Sequence, residues 1–208
     1  MPLIRKPPES RAATAPDPAA VLTALESGTE DERWAAARAA LDLPDGVTAL
    51  GTALVRERSA RVREAIFTAL VRAGTGESVE LLLPLLRADD AQLRTGALDA
   101  LRAMKSAVWP YVSTLLNDPD PDARVLACEL ARNLPGEEAA RLLCGLLDVE
   151  TEPNVCASAV EVLAEVGGAD ALPVLVRCAE RFRGTAFLEF SIRITTDRIR
   201  SQSPQPRA

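Results

Sequence analysis

The sequence contains no histidine, the side chain on which general acid–base catalysis at neutral pH most often rests. Serine–histidine and cysteine–histidine nucleophile pairs are thereby excluded, as are most zinc sites. Aromatic residues make up only 3% of the 208 residues, so any core must be aliphatic. Lysine is nearly missing, with Lys6 and Lys105 alone against a large arginine complement, a skew that reads as the coding bias of a bacterial, GC-rich source. No stretch approaches the roughly 18 uninterrupted apolar residues of a membrane span. The start, Met1 to Ala20, lacks the apolar centre of a secretory signal, so a cytoplasmic location without membrane contact is expected. There is no CxxC pair: Cys128, Cys144, Cys156 and Cys178 are separated by 15, 11 and 21 residues, and buried reduced thiols are expected, with neither metal nor cofactor. Walker loops and GxGxxG are absent, and GTGES at Gly74 to Ser78 has no phosphate-binding lysine. A formal charge of −6 and a pI near 4.9 offer nucleic acid no general attraction.

What is present is alanine, leucine and repetition. ERWAAARAAL from Glu32, VREAIFTALV from Val62, LRTGALDALR from Leu93, ARVLACELAR from Ala123 and VCASAVEVLA from Val155 align in one register. Their second residues, Arg33, Arg63, Arg94, Arg124 and Cys156, recur at spacings of 30, 31, 30 and 32. Three positions later come Ala36, Ile66, Ala97, Ala127 and Ala159, and seven later Ala40, Leu70, Leu101, Ala131 and Leu163. Steps of three and four place these on one helical face. A second set of short apolar helices is expected over 46–57, 77–87, 107–117, 137–147 and 170–182, sharing a double apolar step such as Leu85-Leu86 or Leu115-Leu116. Asp, Pro and Gly punctuate the joins, where they cap helices and make turns.

Hairpins of this size leave an apolar stripe that only a neighbouring hairpin covers, so an elongated stack is expected. PDPAAVLTALES, from Pro16 to Ser27, reads as an N-terminal capping helix. GTAFLEFSIRITTDRIR carries Phe187, Phe190 and Ile194 at steps of three and four, a stripe suited to closing the last apolar edge. The expected organisation is an arm over 1–15, repeats over about 30–58, 59–88, 89–118, 119–150 and 151–183, a capping helix over 185–200 and a tail over 201–208.

DPDPDARVLACELARNLPG, with AVWPYVSTLLND as a matching second helix, resembles the HEAT-like repeats first described in phycobilisome lyases. The resemblance implies an all-α, right-handed α-solenoid of about five helical hairpins with capping helices at both ends. It also implies a structural ladder in which Arg33, Arg63, Arg94 and Arg124 reach acidic groups such as Asp31, Asp90, Asp120 or Asp122 of neighbouring units, with Cys156 breaking the row. The function implied is a non-catalytic scaffold, adaptor or assembly factor that binds a protein along its concave face. The same repeat class leaves a chromophore-lyase subunit or metallocofactor-maturation helper as the alternative, and a DNA-repair glycosylase behind it.

Candidate contacts follow from placing second helices on the concave side. Glu26, Arg56, Arg87, Asn117, Asp148 and Glu180 follow the double apolar steps and form a row running from basic to acidic. Trp109 and Tyr111 are of the types enriched at binding hot spots, and Trp34 reads mainly as packing against the cap. In the arm, Leu3, Ile4, Arg5 and Lys6 form a candidate docking motif. Partner identity and oligomeric state are left open.

Overall fold

The computed structural model describes residues 17–202, which include twelve α-helices and no strand. The expected arm, with Leu3, Ile4 and Arg5, lies outside the described residues. None of the helices is long and apolar enough to cross a membrane. The fold is all-α and of the solenoid class, and the described residues divide into two compact units at Ile66 and Phe67.

Unit 1 contains α1 (Pro18–Ser27), α2 (Glu30–Ala39) and α3 (Gly46–Arg56), and the start of α4 (Ala60–Ala73). Thr29 and Glu32 begin α2 with a reciprocal capping box, in which the Thr29 N–H donates to Glu32 Oε2 at 2.7 Å. Such caps satisfy backbone donors that the first turn leaves free, and each stabilises by about 1 kcal/mol. Leu50 and Leu54 of α3 and Ile66 of α4 are fully buried.

Unit 2 contains the rest of α4, α5 (Gly76–Leu82), α6 (Ala91–Ala103), α7 (Lys105–Leu115), α8 (Pro121–Ala131), α9 (Gly136–Val149), α10 (Pro153–Val166), α11 (Leu172–Arg181) and α12 (Ala186–Gln202). First helices α6, α8, α10 and finally α12 pack in succession, and the second helices α5, α7, α9 and α11 form the opposite layer. Asp90 and Asp120 cap α6 and α8: the Asp90 carboxylate accepts from the Gln92 N–H at 2.8 Å and the Asp120 carboxylate from the Asp122 N–H at 3.0 Å. Pro84 has no N–H to continue the ladder of α5, and the segment Leu83–Arg87 tightens into a 3-10 turn. Gly74, at φ 58°, makes the turn from α4 to α5 in a region that L side chains avoid.

The aligned apolar positions are all inside: Ala36, Ile66, Ala97, Ala127 and Ala159, and likewise Ala40, Leu70, Leu101, Ala131 and Leu163, are buried. Small side chains along the first helices let neighbouring backbones approach. At α6 the approach is so close that a Cβ on Gly96 would stand 2.3 Å from the Phe67 ring. The last apolar edge is closed differently from expectation. Leu188, Ile192 and Ile199 of α12 are buried against α10 and α11, whereas Phe187, Phe190 and Ile194 are 51%, 57% and 49% exposed. Helix α12 carries two apolar stripes, and the core took the other one.

Candidate functional site

The arginine register turns out to have one shared act. Arg33, Arg63, Arg94 and Arg124 each donate to a backbone carbonyl five or six residues earlier, namely Gly28 at 2.8 Å, Glu57 at 2.8 Å, Ala88 at 2.5 Å and Asp118 at 2.8 Å. Two of them also close a fork on a buried glutamate. Arg33 Nε and a terminal nitrogen reach Glu57 at 2.7 and 3.1 Å, and Arg124 reaches Glu150 at 2.7 and 2.9 Å. Each glutamate then accepts two backbone N–H groups of the turn that follows it, from Arg58 and Ser59 at 2.8 Å and from Thr151 and Glu152 at 2.9 Å.

Such fully used forks are the strong kind of charge-assisted hydrogen bond. Among the acids expected to meet the arginines, Asp90 and Asp120 also cap helices, Asp120 acts electrostatically on Arg124, and Asp31 meets Arg61 at 2.5 Å. The Arg33 fork holds the Glu57 carboxyl below its ordinary range, helped by the turn N–H groups and opposed by burial. For Glu150 burial is the largest influence and pushes upward, yet Arg124 and the turn N–H groups outweigh it and the carboxyl is again lowered.

At the fifth place in the row Cys156 is buried. The carbonyls of Leu147 and Asp148 receive Arg181 of α11 instead. Hydrogen bonding to the Cys178 sulfur and burial push the Cys156 thiol up, while the same bond and Arg181 lower Cys178. Burial pushes Cys128 up to about 12, leaving it a protonated core thiol at neutral pH. Among the described residues no three His, Cys, Asp or Glu side chains converge as metal ligands.

Bonds spaced by one repeat occur instead among exposed and half-buried groups. Tyr111 donates to Glu80 at 2.9 Å across 31 positions, and Arg177 donates to Asp148 at 2.7 Å across 29. Arg87 pairs with Asp118, and Arg132 with Glu165. The hydrogen bond to Glu80 raises the Tyr111 phenol. Arg87 and Asp148 of the candidate row, and Tyr111 beside it, are thus ties between neighbouring repeats, and two of the row's charges are paired. Glu180 is exposed on α11. In unit 1, Arg56 lines a cavity of about 390 Å³ together with Arg58 and the Arg33–Glu57 clamp. Trp34 is held between two guanidinium groups, those of Arg38 at 4.6 Å and Arg61 at 4.7 Å, a pair of cation–π contacts on the first-helix side.

One opening in the second-helix layer of unit 2 includes the candidate residue Asn117. The backbones of α9 and α11 approach more closely than those of α7 and α9. Between α7 and α9 lies a groove of about 170 Å³. Its apolar lining comes from Leu116, Leu142, Leu146 and Val149, and its polar rim from Ser113, Asn117 and Arg141. Gly145 forms part of the lining, and a Cβ placed there would meet nothing within 4 Å. Val149 is 73% exposed and Trp109, on α7, 44%. Asn117 was a candidate in the sequence; Gly145 and Val149 were not, because a glycine inside an amphipathic helix gives no sign of which neighbour it faces.

Residues 110–183, from within α7 to the end of α11, match the family model described as HEAT repeats. Among solved structures, similarity extends to an engineered protein at 18% identity, covering 87% of this chain and 95% of that one, with a TM-score of 0.42. A designed armadillo repeat protein, YIII(Dq)4CqI, is 15% identical over 88% of this chain and all of that one, at a TM-score of 0.39. The complex of CpcE and CpcF of phycocyanin lyase from Nostoc sp. PCC7120 is 16% identical over 95% of this chain and 100% of that one, at 0.38. No curated protein matches the chain.

Proposed function

We propose that this HEAT-repeat protein is a non-catalytic scaffold or adaptor that holds a protein partner on the second-helix layer of unit 2, anchored in the groove between α7 and α9. The observation that carries the reading is the groove itself: an apolar trough bounded by Val149, opened by Gly145 and rimmed by hydrogen-bonding side chains. Binding surfaces of this kind seat an apolar anchor while the rim fixes the approaching backbone. Ser113 on α7 and Asn117 in the turn after it provide that rim on one side, and Arg141 on α9, paired with Glu138 at 2.6 Å, provides it on the other. The absence of histidine suits a holder rather than a reactor.

Gly145→Trp tests the reading with little cost to the fold. The site is open, and a helical glycine replaced by alanine regains about 0.5–1 kcal/mol of helix stability, tryptophan regaining only part of that. Affinity capture from native extract should recover a partner with the wild-type chain and lose it with Gly145→Trp, while the thermal midpoint stays level or rises. Recovery of the same partner by both chains would remove the groove from the interface.

A further inference from the structure

The stripe on α12 is a second surface, apart from the groove. Phe187, Phe190 and Ile194 recur at steps of three and four and stand about half exposed, while the helix's other face is buried against α10 and α11. Written as a heptad, these residues take the seam positions, with Arg193 and Arg198 in the two flanking positions. Arg193 lies 5.3 Å from the Phe190 ring centre, and among the described residues neither arginine has an ion pair. Asp197 takes the next seam position and ends the apolar run. The local charge is unlike that of the chain. From Arg181 to Gln202 there are five arginines against Glu189 and Asp197, whereas the whole sequence carries −6. Glu189 is already engaged, accepting from the Gly184 N–H at 2.8 Å.

We propose that this face of α12 docks an acidic amphipathic helix of a partner protein, whose apolar seam covers Phe187, Phe190 and Ile194 and whose flanking carboxylates meet Arg193 and Arg198. Charge decides among occupants. A second copy of α12 would bring the same arginines to the seam, and like charges in flanking positions oppose pairing. An anionic bilayer would attract the arginines but repel the acidic body, and three side chains are a small apolar area for stable interfacial anchoring. A carboxylate-flanked helix satisfies both the apolar and the charged parts of the surface.

The probe is a synthetic helical peptide of about three heptads with leucine at the seam and glutamate at the flanking positions. Its counterpart carries lysine in place of glutamate. Fluorescence anisotropy with the full chain should show saturable binding of the glutamate peptide and none of the lysine peptide. Phe190→Asp, at an exposed site, should weaken binding about tenfold or more with unchanged circular dichroism. The double reversal Arg193→Glu with Arg198→Glu should exchange the preference, so that the lysine peptide binds. Gly145→Trp should bind the glutamate peptide as the wild type does, which separates this surface from the groove. Failure of the glutamate peptide to bind, equal binding of both peptides, or indifference to Phe190→Asp would overturn the proposal. So would concentration-dependent dimerisation abolished by Phe190→Asp, or adsorption to phosphatidylserine vesicles through the same residue.

Discussion

Arg33 in unit 1 and Arg124 in unit 2 hold their glutamates with the same fork, but the two clamps are seated differently. Arg33 is 26% exposed over a Glu57 side chain 5% exposed, and Arg124 is 14% exposed over a Glu150 side chain 4% exposed. Arg33 donates to one turn carbonyl, that of Gly28, while Arg124 donates to two, those of Asp118 and Pro119. The deeper clamp depends more on its partner, because burial is the largest influence on Glu150 and only the fork with the turn N–H groups reverses it. One motif thus tolerates loss of its cation in proportion to the water left around it.

The largest expected break is Arg124→Met, which leaves Glu150 buried without its cation. Stability should fall by about 3 kcal/mol in urea denaturation, and Arg33→Met should cost less. Equal losses would mean that exposure does not set the difference.

Acid sharpens the same contrast. Glu57 and Glu150 are both held below their ordinary value, so the unfolded chain binds more protons than the folded one as pH drops. Their stabilisation is fully present above about 4.5, the ordinary carboxyl value, and is lost as pH falls through the lowered folded values. The thermal midpoint followed from pH 7 to pH 3 should therefore hold and then drop, and Glu57→Gln with Glu150→Gln should flatten the drop. In Arg124→Met, burial of Glu150 is no longer opposed by the fork, and the decline should begin at higher pH.

The smallest effect concerns a clamp half built. Asp118 stands where Glu57 and Glu150 stand relative to the following turn, and its carboxylate accepts from the Asp120 N–H at 2.9 Å. It pairs with Arg87, while Arg94 donates to the carbonyls of Ala88 and Asp89. Asp118→Glu adds the methylene needed to reach toward Arg94. A double-mutant cycle with Arg94→Met should show a coupling of about 0.5 kcal/mol, and zero coupling would show that side-chain length is not what separates this junction from the clamped ones.

These ties were the least legible part of the sequence. The arginine row was visible by its spacing, but its partners were not. Glu57 and Glu150 lie 24 and 26 residues from their arginines, while the nearer acids Asp90 and Asp120 also cap helix starts. Arg87 and Tyr111 looked like contact residues because they are long, polar and on second helices. Folding ties Arg87 to Asp118 of the following repeat and Tyr111 to Glu80 of the preceding one, so substituting them would test the stack as much as any interface. Trp34 looked like cap packing, and its cation–π contacts with Arg38 and Arg61 were not legible in the sequence.

Local chemistry along the chain was enough to determine the helices, their caps, the repeat of about 31 residues and the buried register from Ala36 to Leu163. Each depends only on propensity, periodicity and neighbours within a few positions. The tertiary structure alone decided which carboxylate each arginine holds, that the α7–α9 spacing opens a groove over Gly145, and which of two apolar stripes on α12 stays outside. These choices rest on distances between segments one repeat apart, and two stripes of equal period are indistinguishable until a neighbouring helix covers one of them.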